Sequence, residues 1–284
     1  MLGDASRVVK SAVVQSLGMA SLERPVAVEA ARAAGHLLLR ELSGPRRIAY
    51  KGTPTNLVTE MDARAEALIV ERLLARFPDD GILAEERGAA PGRSGRRWII
   101  DPLDGTTNYA HGMPHFGVSI GLEVDGRLTL GVVYDPGRDE LFVAERGGGA
   151  FLNDARLEVS ETTELGASLL VTGFPYDIRQ NPDNNLREYA AFSVRARAVR
   201  RLGSAVLDLA WVACGRFDGF WELTLGPWDV AAGALVIEEA GGRVTDLHGG
   251  RLDVDAPAVV ASNGRIHDAI LDVLAELRGA AGRR

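Results

Sequence analysis

The sequence predicts an α+β/α/β fold whose sheets and helices stack as a layered αβαβα sandwich. Three observations carry that expectation. Two early segments place apolar residues at helical spacing, short alternating strands joined by tight turns follow them, and after about residue 162 strands and helices alternate. The chain divides accordingly. Residues 1–23 read as an N-terminal extension prone to disorder, and 24–162 as an α+β half with two helices on an antiparallel sheet. Residues 163–284 read as an α/β half with helices on a mixed, largely parallel sheet.

From Val26 to Leu42 apolar groups share one side, with Arg32 and Arg40 outside, which predicts a helix. A polar loop follows, SGPRRIAYKGTPTNLVTEMD. In the second helix Ala65, Ile69, Leu73 and Phe77 recur every four residues until PDDG (Pro78–Gly81) stops it. Strand signals come next, in ILA (82–84) and WII (98–100). FGVSIGLEV turns at Asp125-Gly126 into LTLGVVY, DPGRD leads into ELFVAE, and GGGAFLN leads into LEVS. Later come the strand SLLVTGF, a helix over 184–197, the helix SAVLDLAWVACG and the strand FDGFWE. The helix PWDVAAGALVIEEAGG, a short strand, the strand APAVVAS and a last helix from about Ile266 complete the order.

At 284 residues, 46% hydrophobic and 25% charged, the chain has the composition of a soluble globular protein. A net charge of −7 with no basic run argues against a nucleic-acid surface. No apolar run is long enough to span a bilayer. Arg7 and Lys10 precede SAVVQSLGMA, but Ser and Gln interrupt it, so it makes a poor signal peptide; Met19 is an alternative start. A cytoplasmic protein is expected, and the single Cys214 excludes an internal disulfide.

The chemistry concentrates in WIIDPLDGTTNYAHG, residues 98–112. An apolar strand ends in Asp101 and Asp104, and Pro102 between them cannot donate to a ladder, so the chain must turn. Gly105, Thr106 and Thr107 then offer amides suited to a phosphate. Taken alone, the two aspartates read as a helix cap and a solvated turn residue. Their company favours a site: Glu85 and Glu86 follow the strand GILA, Asp229 sits in the first turn of a helix opened by Pro227, and Asp62 starts the second helix. Clustered carboxylates require protons or cations, and oxygen-only donors suit Mg²⁺, Mn²⁺ or Ca²⁺.

DPLDGTTNYAHGMPHFGVSIG resembles the first signature of the inositol monophosphatase family, and WDVAAGALVIEEAGG its second. KGTPTNLVTEMD, AEE and RLGSAVLDLAW…FWELTLGPWD also match in order, so the resemblance runs from about residue 24 to the end. The resemblance implies Mg²⁺-dependent hydrolysis of a phosphate monoester on a small polyol, with two or three cations per site and Mn²⁺ as a substitute. It implies that Glu85, Asp101 and the Leu103 carbonyl hold a first cation, and Asp101, Asp104 and Asp229 a second. A third would lean on Glu85. Gly105 and Thr106 match the phosphate-holding amides; Thr106 backed by Asp62, together with Glu85, matches the group that orients and deprotonates the attacking water. Glu222, Asp104 and the turn Gly203, Ser204 and Ala205 match the alcohol-binding side, and Lys51 a lysine near the site; taken without the resemblance, Glu222 reads as a solvated strand end, and a surface lysine is the equal alternative for Lys51. Retained Glu222 tilts the expected substrate to myo-inositol-1-phosphate. A broad polyol-phosphate specificity is the next alternative; fructose-1,6-bisphosphate, histidinol phosphate and nucleotide 3′-phosphates are others on this scaffold, and a non-catalytic regulator is the rival from another class. Lithium sensitivity and a homodimer are further implications.

Other features read as structural. His111 and His115 flank Pro114, which disfavours a zinc-binding helix, and RGGGAF (146–151) lacks the setting of a P-loop. Trp211, Trp221, Trp228 and Cys214 read as core.

Overall fold

The computed structural model describes residues 22–44, 48–51, 54 and 57–281. The expected extension up to residue 21, and with it Met19, lies outside the described residues.

α1 (Glu23–Glu41) and α2 (Glu60–Arg76) form an outer layer. Small and aliphatic residues at three- and four-residue spacing turn one face of each inward: Ala27, Ala31, Ala34 and Leu38 from α1, Ala65, Ile69 and Leu73 from α2. Thr59 begins α2 with a capping box, its hydroxyl accepting from the Met61 amide while its own amide donates to Asp62. Within the polar loop, β1 (Ile48–Tyr50) and β2 (Leu57–Thr59) pair antiparallel, a pair too short to show a period in the sequence.

Below lies an eight-stranded sheet, counted among the described residues. It comprises β3 (Gly81–Ala84), β4 (Gly88–Ala90), β5 (Arg96–Asp104), β6 (Gly117–Val124), β7 (Arg127–Asp135), β8 (Glu140–Glu145), β9 (Gly149–Leu152) and β10 (Ala155–Arg156). Their order is β10-β9-β8-β7-β6-β5-β3-β4. The sheet is not wholly antiparallel. β4 folds back on the outer edge of β3, so the chain re-enters on the other side and β5 runs parallel to β3. LEVS (157–160) is not a strand; its Leu157 amide donates to Ala150 and its Val159 amide to Ala240 at the end of a helix. Alternation along β5 sends Trp98 and Ile100 towards α1 and α2, and Ile99 into the next layer.

A short α3 (Thr106–Ala110) follows β5. The second sheet, in the order β12-β11-β13-β15-β14, contains β11 (Leu169–Thr172), β12 (Ala198–Arg200), β13 (Gly219–Glu222), β14 (Arg243–Thr245) and β15 (Val259–Ser262). Its β11 pairings are parallel and its β15 pairings antiparallel, so it is evenly mixed rather than largely parallel. β15 returns against both β13 and β14, a reversal that the strand–helix rhythm alone does not reveal. α4 (Leu186–Ser193) is shorter than the 184–197 segment because Ala198–Arg200 join the sheet. α5 (Ala205–Ala213) and α6 (Pro227–Glu239) fill the middle layer, while α4 and α7 (His267–Ala281) cover the far face. The layers therefore run αβαβα.

α6 lies unusually close to the first sheet. Gly121 and Gly131 are cross-strand partners beneath its Ala231-Ala232 segment. A methyl on Gly131 would stand 2.6 Å from the Ala232 carbonyl oxygen, and one on Gly121 would stand 3.0 Å from the Ala231 side chain. This contact fixes the height of the N-terminus of α6 above the sheet. Gly131→Val is expected to lower unfolding stability by about 1–3 kcal/mol in urea titrations, an overpacking cost. An unchanged midpoint would show that α6 can move freely.

His267 opens α7, fully buried, its ring nitrogens 2.9 Å from the hydroxyls of Ser262 and Thr245. Burial, helped by nearby Arg243, lowers its pKa from 6.5 to about 4. A base depressed in the folded state contributes its stability above the unfolded value and loses it as pH falls from 6.5 towards 4. His267→Gln is therefore expected to cost most at pH 7, with the gap to the parent narrowing towards pH 4 in denaturant titrations. A constant gap would contradict this.

Candidate metal centre and active site

β5 builds the first part of the site by ending irregularly. Asp101 pairs with Ser119 and Asp104 with Gly117, so the register slips across Pro102. The Leu103 amide, freed from the ladder, donates to Asp101 Oδ1 at 3.0 Å. Gly105 then turns at φ +90°, where a Cβ would stand 3.1 Å from the His115 carbonyl oxygen. Thr106 starts α3, and its hydroxyl lies 3.1 Å from both Asp62 Oδ1 and the Leu103 carbonyl oxygen.

Three other segments converge there. Asp229 is in the first turn of α6, and its Oδ2 accepts the Gly226 amide at 2.6 Å. The start of α5 grips Asp104, whose Oδ2 accepts from Ser204 Oγ at 2.5 Å and from the Val206 amide at 2.8 Å. Glu85 follows β3, where parallel pairing with β5 carries it beside Asp101. Lys51 Nζ donates to Glu85 Oε1 at 3.0 Å and also to Glu86. Glu86 points its amide at Glu66 and does not line the cavity.

Oxygen atoms of Asp101, Asp104 and Asp229 all lie within 4.8 Å of one another. Burial comes first among the causes that push Asp101 and Asp229 well above the usual carboxylate range; the charges of Asp104, Glu85 and, for Asp101, Asp229 add to it. Burial raises Glu85 to about 7 although Lys51 opposes it, and Asp104 to about 6 although Ser204 and the Val206 amide oppose it. Asp62 is raised as well, chiefly by burial. A set of converging oxygens that repel one another fits hard divalent cations.

Lys51, Glu85, Asp101, Asp104, Thr106 and Asp229 line one cavity of about 530 Å³, with Asp62 behind Thr106. Gly203, Ala205 and Glu222 line it too, and Ser204 spends its hydroxyl on Asp104. Glu222 ends β13, buried rather than solvated, and accepts the Gly173 amide. A methyl on Gly173 would stand 2.3 Å from Glu222 Oε2, so a larger residue there would displace the Glu222 carboxyl. Sequence reasoning missed Arg201, Asp208 and the loop Phe174–Asp177 in the wall, and Trp228, taken as core, also lines it. Asp208 is 1% exposed, and its Oδ1 has no hydrogen-bond partner among the described residues. Burial, then Asp104 and Glu222, push it well above the carboxylate range, with Arg201 opposing. The available signal was one acid in the otherwise apolar helix AVLDLAWVA. His111 caps α3 and His115 packs on Trp211, with no third metal-type ligand beside them among the described residues.

The family model for the inositol monophosphatase family matches residues 21–278. The chain belongs to that family. It is therefore a metal-dependent phosphatase. It is 47% identical to the inositol-1-monophosphatase of Mesorhizobium japonicum over 87% of this chain and 93% of that protein. It is 43% identical to the Nus factor SuhB of Escherichia coli, over 87% and 93%. The solved inositol monophosphatase of Anabaena superposes with a TM-score of 0.81 at 46% identity, covering 89% of this chain and 94% of that one. No helix among the described residues is long and apolar enough to cross a membrane.

Protons and cations compete for the raised carboxyls. Without cations, a carboxyl raised in the folded state removes stability as pH climbs from its unfolded value through its folded one, here from 4.5 to about 7 for Glu85. Added Mg²⁺ or Mn²⁺ is expected to raise the melting temperature more at pH 8 than at pH 5. Equal increments at both pH values would count against cation binding at this cluster.

Proposed function

We propose that this enzyme hydrolyses myo-inositol-1-phosphate to inositol and phosphate with Mg²⁺ as its cofactor and Mn²⁺ as a substitute. The observation that carries the substrate is Glu222. It is buried in the cavity wall near Arg201 and Asp208, whereas Glu85 lies beside Lys51, Glu86 and Asp62. The cavity thus has a phosphate-and-cation end and a second end with a carboxyl able to bind an alcohol hydroxyl. Relatives named inositol-1-monophosphatase support the same choice.

Glu85, Asp101 and the Leu103 carbonyl would hold one Mg²⁺, and Asp101, Asp104 and Asp229 a second; a looser third would sit at Glu85. Bound cations supply charge neutralisation and make water acidic enough to attack at neutral pH. The Gly105 and Thr106 amides hold the phosphate. Thr106 Oγ, its proton directed to Asp62, accepts a hydrogen bond from the attacking water and orients it, and Glu85 helps to take its proton. Asp104, Gly203, Ser204 and Ala205 shape the alcohol side with Glu222. The family resemblance adds lithium inhibition and a cytoplasmic homodimer to this proposal. A further regulatory role is favoured by the relatives named Nus factor SuhB; with every expected carboxylate present, it would accompany catalysis.

Asp104→Asn and Asp229→Asn are each expected to reduce turnover at least about 100-fold while leaving the melting temperature near the parent's, because each removes charge that positions the reacting groups. Near-normal activity in either would overturn their assignment. Phosphate release from metal-stripped protein, with and without Mg²⁺, tests the substrate on inositol-1-phosphate, fructose-1,6-bisphosphate, histidinol phosphate and adenosine 3′,5′-bisphosphate. Inositol-1-phosphate is expected to lead. If another phosphate leads, the role given to Glu222 falls.

A further inference from the structure

Asp208 is hard to account for as part of the fold. It lies in the first turn of α5 between Leu207 and Leu209, both fully buried, in a helix whose inward residues are otherwise apolar. Its side chain is itself buried, and Oδ1 has no partner among the described residues. An unsatisfied buried carboxyl oxygen is destabilising, and an apolar residue of similar size would avoid that cost. Such a group persists most readily where a ligand completes its hydrogen bonding.

Its surroundings say which ligand. Asp208 lines the same cavity as Glu222 and Arg201, and its charged neighbours are Asp104, Glu222 and Arg201. It therefore belongs to the alcohol end rather than to the Lys51–Glu85 end. Glu222 already accepts the Gly173 amide, and Asp104 already accepts from Ser204 and Val206. Asp208 Oδ1 is left with its hydrogen-bonding capacity unused. A hydroxyl both donates and accepts, so it can satisfy a carboxyl in either protonation state.

We propose that Asp208 is a specificity-determining residue that binds a second hydroxyl of the substrate's alcohol part, beside the one bound by Glu222. The proposal rests on the polyol-phosphate reading above. It makes the enzyme selective for a small uncharged polyol presenting two hydroxyls to this wall, one for each carboxyl.

The test compares myo-inositol-1-phosphate with phenyl phosphate, which carries no hydroxyl, on the Mg²⁺-loaded parent and on Asp208→Leu and Asp208→Asn. Leu is expected to raise KM for inositol-1-phosphate and to lose roughly tenfold more kcat/KM on it than on phenyl phosphate, the scale of one lost hydrogen bond. Asn, which can still bond a hydroxyl, is expected to fall between parent and Leu. The melting temperature of Asp208→Leu should not drop, because an unsatisfied polar group has been removed. Equal losses on the two substrates, or no loss on either, would overturn the proposal and assign Asp208 to the fold. Should the Leu variant fail to fold, single-deoxy analogues of inositol-1-phosphate on the parent decide instead. Two hydroxyl positions that each weaken kcat/KM support the proposal, and only one overturns it. A parent that cleaves phenyl phosphate but not inositol-1-phosphate would overturn the substrate reading itself, a result visible before any variant is made.

Discussion

Mutual repulsion among buried carboxylates is the constraint around which this molecule is arranged. Asp101, Asp104 and Asp229 converge within 4.8 Å, with Glu85 in the same cavity. Burial raises every one of them, and their charges reinforce one another at Asp101 and Asp229. In a fold stable by only about 5–15 kcal/mol, such a cluster has to be held together by the surrounding scaffold. It is relieved by what binds there, protons at low pH and cations at high pH.

The scaffold does the holding with backbone amides and close packing. Asp104 is pinned by the opening turn of α5, Asp229 by the Gly226 amide at the opening of α6, and Asp101 by the Leu103 amide. Each carboxylate therefore sits on an element that is itself buried. Gly121 and Gly131 let α6 descend onto the first sheet, so Asp229 reaches the end of β5, and Gly173 lets the chain after β11 pass against Glu222. These glycines place functional carboxyls: Gly121 and Gly131 act from outside the cavity, while Gly173 lines it beside Glu222. The parallel pairing of β3 with β5 matters for the same reason, since two strands that end side by side deliver Glu85 and Asp101 to one edge.

Much of this was legible in the sequence because the relevant signals are local. The helical period of Ala65, Ile69 and Leu73 reports one buried face, and Asp-Pro-Leu-Asp-Gly announces a strand that must end in acids and turn. What could not be read depends on distant partners. β1, β2 and β4 are three residues long and carry no measurable period, and the reversed direction of β15 is decided by its neighbours. In the site, Asp101 and Asp229 announced themselves by position at element ends. Asp208 sits inside a helix, where a single acid usually marks a solvated face; only the packing of α5 on all sides shows that it is buried.

The charge pattern has a thermodynamic consequence for substrate capture. The protein carries a net charge of −7, and among the described residues the cavity wall supplies Lys51 and Arg201 against Glu85, Asp101, Asp104, Asp177, Asp208, Glu222 and Asp229. A phosphate approaching this wall alone meets repulsion, and the amides at Gly105 and Thr106 are too few to offset it. Affinity for the phosphate must therefore come largely from the cations that these carboxylates recruit, which couples the two binding events. Linkage makes the coupling reciprocal: whatever factor cations add to phosphate affinity, phosphate adds to cation affinity. The neutral alcohol end gains nothing from that coupling, so discrimination among phosphate esters has to be built there, from hydrogen bonds to hydroxyls.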